Sequence, residues 1–360
     1  TPAKNSKGEI IGTKETINGK EYYTVTTDSK GEITADLPEG MYKAVEVEAP
    51  DKYDLSDSTY YFGIGTSREG KIGLKATWAE GIGGEYDEEI TSVAATSDGG
   101  YIVGGDFYSS SIELGNGIIL SNNTNGTRRY TDGMVIKYNE SGEVEWARGI
   151  GGARKDVIKS VAETSDGGYI AGGYFKSSSL DLENEINVVN HYYGDDKGDG
   201  MIIKYSSSGE VEWARGIGGT GNDYIESVAA TRDGGYIVVG GFNSSSIDLG
   251  NEISLSNKAS GDGMIIKYNV SGEVEWTQGI GGTGSDSINS ISETRDGGYI
   301  VGGYFASSSI DLGNGVSLSN KGSNDGMIIK YNVSGKVEWT KSIGVTNVEQ
   351  INSVTETRDG

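Results

Sequence analysis

From residue 85 onward, short runs of apolar and aromatic residues alternate with polar turns, and the whole pattern recurs along the chain. In one copy, runs at 288–294 and 299–305 flank an Asp-Gly-Gly turn, and runs at 327–331 and 337–339 flank a Ser-Gly turn. Asp-Gly between two runs rich in β-branched and aromatic residues predicts a hairpin. No stretch has the 3.6-residue period of a helix. The pattern therefore predicts four strands per copy, with an extra short hairpin suggested by Ile310, Leu312, Val316 and Leu318.

The tryptophans measure the length of the repeat, because successive ones lie 68, 67, 63 and 63 residues apart. They are Trp78, Trp146, Trp213, Trp276 and Trp339. Four strands per repeat, with apolar residues that need cover on both faces, indicate a propeller blade and favour it over a β-solenoid. We predict an all-β chain whose residues 73–360 form a partial β-propeller. Its complete four-stranded blades are expected at about 85–151, 152–218, 219–281 and 282–344, with a partial copy at 345–360.

The repeat is similar to the bacterial SBBP-type propeller repeat over residues 74–360. The residues that carry this resemblance are Trp213, the 218–223 Gly-Gly-Thr-Gly-Asn-Asp loop, the Asp233-Gly234 hairpin and the Asp262-Gly263-Met264 strand start. Residues 75–84 match only the fourth strand of a blade. We therefore expect the strand around Trp78 to close a final blade whose other strands lie beyond residue 360, in a parent protein of six to eight blades.

Residues 1–72 read as a small all-β module of short alternating runs separated by turns. The stretch at 37–55, LPEGMYKAVEVEAPDKYDL, resembles the SpaA-type prealbumin-like (Cna-B) domains of Gram-positive surface proteins and pilins. The resemblance implies a small β-sandwich that serves as a stalk, with Glu46 in the position of the family's E-box glutamate. The family's first strand with its lysine is truncated here, and the closing strand lacks an evident asparagine. We therefore expect no isopeptide bond.

The chain carries 53 acidic against 30 basic residues, a net charge of −23, and no cysteine. Such a surface repels phosphate backbones and anionic membranes, which argues against nucleic acid as a partner. Disulfides and thiolate metal sites are excluded, and this composition fits a cytosolic protein or a Gram-positive surface protein. No apolar run reaches the length of a membrane span, so we expect no membrane insertion in this segment. The chain opens without a signal peptide, as a fragment or processed piece would, and we expect a monomer.

An acidic residue recurs just before the first strand of each copy. These acids are Glu88, Asp156, Asp223, Asp286 and Glu349. If the first strands line the propeller axis, the acids would ring the channel mouth, where calcium or a cationic ligand would relieve their repulsion. The alternative is that each carboxylate accepts backbone N–H bonds within its own glycine-rich loop.

Several tyrosines fall in the loops and differ between copies, as recognition residues do. They are Tyr86, Tyr108, Tyr192, Tyr193 and Tyr224. Exposed aromatic side chains among Asn, Asp and Ser suit carbohydrate or protein ligands, although strand-end core tyrosines are an equal alternative. Catalytic machinery is not evident, because His191 is the single histidine and no G-x-S-x-G is present. Arg154 and Lys155 alone hint at a broken repeat symmetry of the kind an enzyme would need.

These observations predict an extracellular, cell-wall or cell-surface bacterial protein that binds a glycan or an extracellular protein, with no cofactor unless calcium binds. The alternatives are a propeller enzyme acting on polysaccharide and a purely structural spacer. Propellers host many unrelated activities, so the fold does not decide among the three.

Overall fold

The computed structural model describes residues 81–123, 130–192, 197–313 and 315–357, and before residue 81 it describes the backbone of six strands. The chain divides into two compact units, Thr1–Ala79 and Glu80–Gly360. Every regular element described is a β-strand, so the all-β prediction is confirmed.

Three antiparallel strand pairs are described in the first unit. They are β1 (Thr13–Ile17) with β2 (Lys20–Thr24), β3 (Ile33–Ala35) with β6 (Ile72–Leu74), and β4 (Gly40–Val45) with β5 (Thr59–Ile64). The alternating runs of the sequence lie on β2 to β5, whereas β1 and β6 were not predicted. Glu46, the expected E-box residue, lies outside the described residues.

The second unit contains four antiparallel four-stranded sheets, each with its strands in chain order, as predicted for propeller blades. The first blade consists of β7 (Glu88–Ala95), β8 (Tyr101–Phe107), β11 (Asp132–Tyr138) and β12 (Val144–Ile150). The second consists of β13 (Asp156–Glu163), β14 (Tyr169–Phe175), β17 (Asp199–Tyr205) and β18 (Val211–Ile217). The third consists of β19 (Asp223–Ala230), β20 (Tyr236–Phe242), β23 (Asp262–Tyr268) and β24 (Val274–Ile280). The fourth consists of β25 (Asp286–Glu293), β26 (Tyr299–Phe305), β29 (Asp325–Tyr331) and β30 (Val337–Ile343).

The extra hairpin predicted between the second and third strands is present in every blade. The four hairpins pair β9 (Ser111–Glu113) with β10 (Ile119–Ser121), β15 (Ser179–Asp181) with β16 (Asn187–Val189), β21 (Ser246–Asp248) with β22 (Ser254–Ser256), and β27 (Ser309–Asp311) with β28 (Ser317–Ser319). Each of these strands buries only its central residue, such as Ile112 and Leu120 in the first blade. The Asp-Gly turns are also as predicted, since Gly99 and its equivalents adopt positive φ.

The hydrophobic core lies between successive blades. One buried cluster joins Ile102 and Val135 of the first blade to Ile158 and Val161 of the second. The close approach of one blade to the next requires glycine on the second strand, because a Cβ atom on Gly172 would lie 2.4 Å from the Val228 side chain of the next blade. Each blade therefore needs a neighbour to bury its apolar faces, which is the principle of repeat architectures.

The recurring tryptophan packs on the next blade. Trp146 lies against Gly209, which adopts a φ of +79° in the turn between β17 and β18. Trp146 is 7% exposed, whereas Trp339, whose packing partner would belong to a further blade, is 49% exposed. The tryptophan spacing is therefore the spacing of inter-blade contacts.

A buried lysine lies in the third strand of every blade, and the sequence did not predict it. Lys137 donates to the Tyr138 carbonyl and forms ion pairs of 2.8 Å with Asp98 and 2.9 Å with Glu145. The equivalent lysines Lys204, Lys267 and Lys330 bind the corresponding acids of their own blades. This lysine links the Asp-Gly turn to the fourth strand. Two acidic residues of each blade therefore have a structural role as its ion-pair partners.

The partial copy at the C-terminal end lies against the fourth blade as a first strand would, but it forms no β-ladder. Residues 348–357 form no strand. The Ile351 N–H donates to the Gly303 carbonyl, and the Val354 N–H donates to Ser290 Oγ, as Val161 donates to Ser92 Oγ between the first two blades. The segment thus lies where a next first strand would lie, without a second strand among the described residues to pair with. Residues 81–84 are not a strand either, and Trp78 lies outside the described residues, so the closure hypothesis stays a prediction.

Candidate functional site

The connections after the second and fourth strands lie at the same edge of each blade. In the second blade, the start of β13 at Asp156 pairs with the end of β14 at Phe175, which also pairs with the start of β17 at Asp199. The end of β18 at Ile217 pairs with Gly200 beside it. We call this edge the loop face. It comprises residues 81–87 before β7 and the described connection residues 108–123, 130–131, 151–155, 176–192, 197–198, 218–222, 243–261, 281–285, 306–313 and 315–324.

The recurring acids are each held by hydrogen bonds within their own loops, and the calcium ring expected from the sequence stays a prediction. Asp156 has no exposed surface, and its carboxylate accepts hydrogen bonds from the N–H groups of Gly152, Lys176 and Ser177 and from Ser177 Oγ. Burial raises the pKa of Asp156 to about 6, although these hydrogen bonds oppose the shift. Asp223 and Asp286 are bound in the same way by their own loops.

Glu88 and Glu349 complete the set with weaker versions of the same arrangement. Glu88 accepts hydrogen bonds from the N–H groups of Gly84 and Ser109, each 3.1 Å long, and Glu349 accepts one from Val345 at 3.4 Å. Across the described residues, no three His, Cys, Asp or Glu side chains come together as metal ligands would. The structure therefore favours the alternative that the acids shape their own loops, because backbone donors already occupy the carboxylate oxygens.

A second recurring acid begins each third strand, and the sequence named it, as Asp262, only as part of the repeat pattern and not as a candidate site. Asp132, Asp199, Asp262 and Asp325 have no exposed surface, and in each the Oδ1 atom has no hydrogen-bond partner. Oδ2 of Asp132 accepts the Asn123 N–H at 2.6 Å. Burial, followed by the neighbouring charge of Asp156, raises the pKa of Asp132 to about 7, although the bond from Asn123 opposes the shift. Repetition of Asp-Gly at each third-strand start was the available sequence signal.

Tyr86 and Tyr108 lie together on the loop face of the first blade. Their rings meet edge to face with centroids 5.6 Å apart, and Tyr86 is 49% exposed. Two aromatic rings that present one exposed edge suit stacking against a flat apolar ligand face. The sequence named both residues but could not show that they form a pair.

Tyr192 and Tyr224 do not join that pair. Tyr224 lies on β19 and is partly buried, and burial raises its pKa to about 12. The Lys197 ammonium group lies 4.6 Å from the centre of the Tyr192 ring, in a cation–π contact within one loop of the second blade. Tyr193 lies outside the described residues. Tyr224 therefore matches the strand-end alternative left open by the sequence.

His191 is not an isolated loop residue, although it is 56% exposed. Its N–H donates to Oδ2 of Asp199 at 2.9 Å, and its Nδ1 lies 2.6 Å from the same oxygen. The histidine is thus bound to the start of β17.

A cavity of ≈ 270 Å³ lies between the outer strand of the second blade and the hairpin of the third. It is lined by Arg215, Gly216, Ile217, Asp248, Leu249, Gly250 and Tyr268.

The strongest departure from repeat symmetry lies at the end of β8. Asp106 occupies the position of Tyr174, Gly241 and Tyr304 in the later blades. Asp106 is only 7% exposed, and burial raises its pKa, although the nearby Lys155 lowers it. An alignment of the four copies by the phenylalanine that ends each second strand would have shown Asp106 as the one acid at its position. The acids that the sequence singled out belong to the first strands, whereas Asp106 lies at the end of a second strand.

The N-terminal part of the chain matches the model of a known family. Residues 4–78 match SpaA, a prealbumin-like fold domain. This agrees with the resemblance found at 37–55. The match covers about a fifth of the chain and speaks only for that part. Among the described residues, no helix has the length and apolar character that a membrane crossing requires.

The blades are similar to parts of two larger curated proteins. One is an uncharacterized WD repeat-containing protein of Acanthamoeba polyphaga mimivirus, 25% identical over 196 residues, which are 49% of this chain and 13% of that protein. The other is the regulatory protein FlaEY of Caulobacter vibrioides, 24% identical over 162 residues, which are 43% of this chain and 17% of that protein. The chain therefore spans less than a fifth of either relative.

Solved structures give loose superpositions. A Bacteroides caccae protein of unknown function aligns with a TM-score of 0.26 at 11% identity, covering 72% of this chain and 83% of that one. The WD40 domain of Neurospora crassa Pan2 aligns with a TM-score of 0.32 at 10% identity, covering 71% and 66%. The blade assignment rests on the strand order of the chain itself. The N-terminal unit is thus similar to SpaA-type prealbumin-like domains and is followed by four propeller-type blades.

Proposed function

We propose that the chain is a bacterial cell-surface or secreted binding protein, in which the loop face of the blades recognises a glycan or protein ligand and the SpaA-like unit serves as a stalk. The similarity of residues 4–78 to a prealbumin-like family supports the surface assignment. The SBBP-type resemblance of the repeat is part of the same proposal.

One observation supports the binding function most directly. The loop backbone is held in the same way in each blade, while the side chains on it differ. In each blade, one loop N–H group donates to the Oγ of a serine at an equivalent position. The donors are Tyr86, Arg154, Gly221 and Gly284. The backbone is therefore held alike in four blades while the side chain changes from aromatic to cationic to none. Rigid scaffolds with varied loops are typical of recognition surfaces.

The two alternatives have less support. A spacer has no need for loop side chains that differ over a constant frame. A polysaccharide-acting enzyme requires a pair of available carboxyl groups, and the recurring acids are engaged by loop N–H groups or lie buried at third-strand starts. We therefore propose a binding protein that is not an enzyme and needs no cofactor.

Screening the full chain on arrays of immobilised oligosaccharides and extracellular proteins, with calcium and with a chelator, tests this proposal. We expect specific binding that is the same in both conditions and that falls in the double variant Tyr86→Ser/Tyr108→Ser. The matched control is Val270→Ser/Val333→Ser, which removes two exposed apolar side chains from the turns at the opposite edge of the blades. Absence of binding to every probe, or an equal loss in both double variants, would contradict the proposal. Release of soluble sugar would favour the enzyme.

A further inference from the structure

The outer strands of the first two blades carry an arginine at the same position, in different surroundings. Arg148 on β12 donates from Nε to the Gly209 carbonyl at 2.9 Å and forms an ion pair of 3.5 Å with Glu183, at the hairpin tip of the second blade. Arg215 on β18 is the equivalent residue. It is exposed, and its guanidinium group makes no hydrogen bond or ion pair among the residues that the structure describes. An arginine therefore stands without a carboxylate partner at the seam between the second and third blades.

The absence of that partner comes from one substitution at the hairpin tip. Gly250 follows Arg215 at the same sequence distance at which Glu183 follows Arg148, so the third blade has a glycine where the second has a glutamate. Both hairpin tips are closed by the same backbone hydrogen bond, 2.8 Å long in the second blade and 2.9 Å in the third. The hairpin is therefore kept, and the side chain that would pair with the arginine is lost.

The cavity of ≈ 270 Å³ lies at this place. It is lined by Arg215 from the outer strand of the second blade and by residues 248–250 from the hairpin tip of the third. These are the same strand position and the same hairpin tip that Arg148 and Glu183 join at the preceding seam. Pockets for drug-sized ligands measure about 300 to 1,000 Å³, so this cavity suits one small molecule rather than a polymer.

The acid in the cavity wall does not exclude an anionic ligand. Asp248 is the one carboxylate among the lining residues, and its Oδ1 accepts the Gly250 N–H at 2.9 Å. Its equivalent Asp181 is also exposed at the preceding seam, where Glu183 still pairs with Arg148. An aspartate at this position is therefore compatible with a second carboxylate on the arginine.

The lining favours a planar anion of single charge. Two parallel N–H groups of a guanidinium match the two oxygens of a carboxylate. Asp248 repels a doubly charged phosphate more strongly than a carboxylate, and Arg215 repels a cation. The buried Tyr268 completes the wall without adding negative charge, because burial raises the pKa of its hydroxyl group, although Arg215 opposes the shift.

We propose that this cavity is a binding site for a small carboxylate, with Arg215 as its anchor. The ligand carboxylate takes the place that the Glu183 side chain fills at the preceding seam, and it accepts paired hydrogen bonds from the guanidinium group. No lining residue belongs to the first blade, so the site is separate from the Tyr86–Tyr108 pair. The inference thus goes beyond recognition by the loop aromatics and gives the chain a second site, for a small molecule. A free aliphatic acid and an acidic sugar share this chemistry.

Propionate and D-glucuronate are the probes, titrated into the ¹⁵N-labelled full chain and followed by its amide chemical shifts. Propionate has the carbon skeleton of a glutamate side chain, D-glucuronate adds ring hydroxyl groups, and D-glucose is the control without a carboxylate. We expect saturable shifts of the Gly216 and Gly250 amides with at least one acid and none with glucose. Tighter binding of D-glucuronate would identify an acidic sugar as the source of the carboxylate, and tighter binding of propionate would identify an aliphatic acid.

Arg215→Gln tests the anchor with a side chain that the fold accepts, because Gln278 occupies this position in the third blade. The affinity for the acid should fall about 10-fold or more, because hydrogen bonds between charged groups are the stronger kind. Lys341→Gln is the matched control. It removes an exposed cation from the same position of the fourth blade and should leave binding unchanged.

The alternative is that Arg215 is a solvated surface arginine and that Gly250 is required only by its φ of +82°. Three results would favour this alternative and overturn the site: no saturable shift with either acid, equal affinity in wild type and Arg215→Gln, or shifts confined to amides away from the cavity. An equal loss of affinity in Arg215→Gln and Lys341→Gln would show general charge attraction and would overturn it as well. None of these results depends on the outcome of the arrays, so the site and the proposed function can fail separately.

Discussion

The buried Asp132 makes the stability of the blades depend on pH in a way that one substitution should remove. Its carboxyl group has no exposed surface, its Oδ1 atom has no partner, and Asp156 lies nearby as a second acid. Burial raises its pKa from 3.8 to about 7. The folded state therefore holds the proton over a pH range in which the unfolded state has released it.

The sign and size follow from linkage. Because the folded pKa is the higher one, stability falls as the pH rises from about 4 to about 7 and is then constant with respect to this group. At about 1.4 kcal/mol per pKa unit, the cost reaches about 4 kcal/mol above pH 7 and is about 1.5 kcal/mol at pH 5. Asp132→Asn keeps the shape of the side chain and carries no charge at any of these pH values. We expect the variant to gain more stability at pH 8 than at pH 5, by up to about 2.5 kcal/mol.

Urea unfolding at pH 5, 6, 7 and 8, followed by tryptophan fluorescence, measures the difference between the variant and the wild type. Asp181→Asn is the control, since this exposed acid should produce no pH-dependent change. Equal pH dependence in wild type and Asp132→Asn, or a variant that is less stable at pH 8, would refute the argument that a buried, unpartnered carboxyl group sets this dependence.

Two further predictions concern contacts that recur in every blade. Trp146→Ala should lower the free energy of unfolding by about 3–5 kcal/mol because it opens a cavity between blades. Trp339→Ala should have a much smaller effect, because that side chain is 49% exposed, and equal losses in urea unfolding would contradict the packing argument. Lys204→Met should cost about 2–4 kcal/mol, because it leaves the Tyr205 carbonyl without its donor and breaks ion pairs with Asp166 and Glu212. Lys176→Met, which removes a lysine from a loop-face connection, is the comparison, and similar melting temperatures for the two variants would contradict a role for the buried ammonium group.

Local chemistry explains the parts of the fold that the sequence predicted. An Asp-Gly turn followed by Tyr-Ile-Val-Gly-Gly specifies a hairpin through positive φ and β propensity within ten residues, and its repetition specifies the blade. The first strand of the fourth blade begins two residues earlier than predicted, at Asp286, because Asp286 and Ser287 pair with Phe305 and Tyr304 of the second strand. The Asp286 carboxylate is also held by loop N–H donors. Gly282 is four positions away, but Ala306 and Ser307, which supply the other donors, are about twenty positions away and leave no local trace.

The same distinction between local and distant causes applies to the residues of the candidate site. The sequence alone determined that the chain is all-β, that it repeats, and that Tyr86 and Tyr108 are loop aromatics, because these depend on neighbouring residues and on composition. Only the tertiary structure decided that Asp156 is enclosed by its loop, that Lys137 is buried between two acids, and that Asp106 is nearly buried at the end of β8. A charged side chain has the same letter whether it is solvated, paired or orphaned. Its state is set by the donors and charges that other strands and the next blade bring to it, and these contacts arise only when the blades assemble.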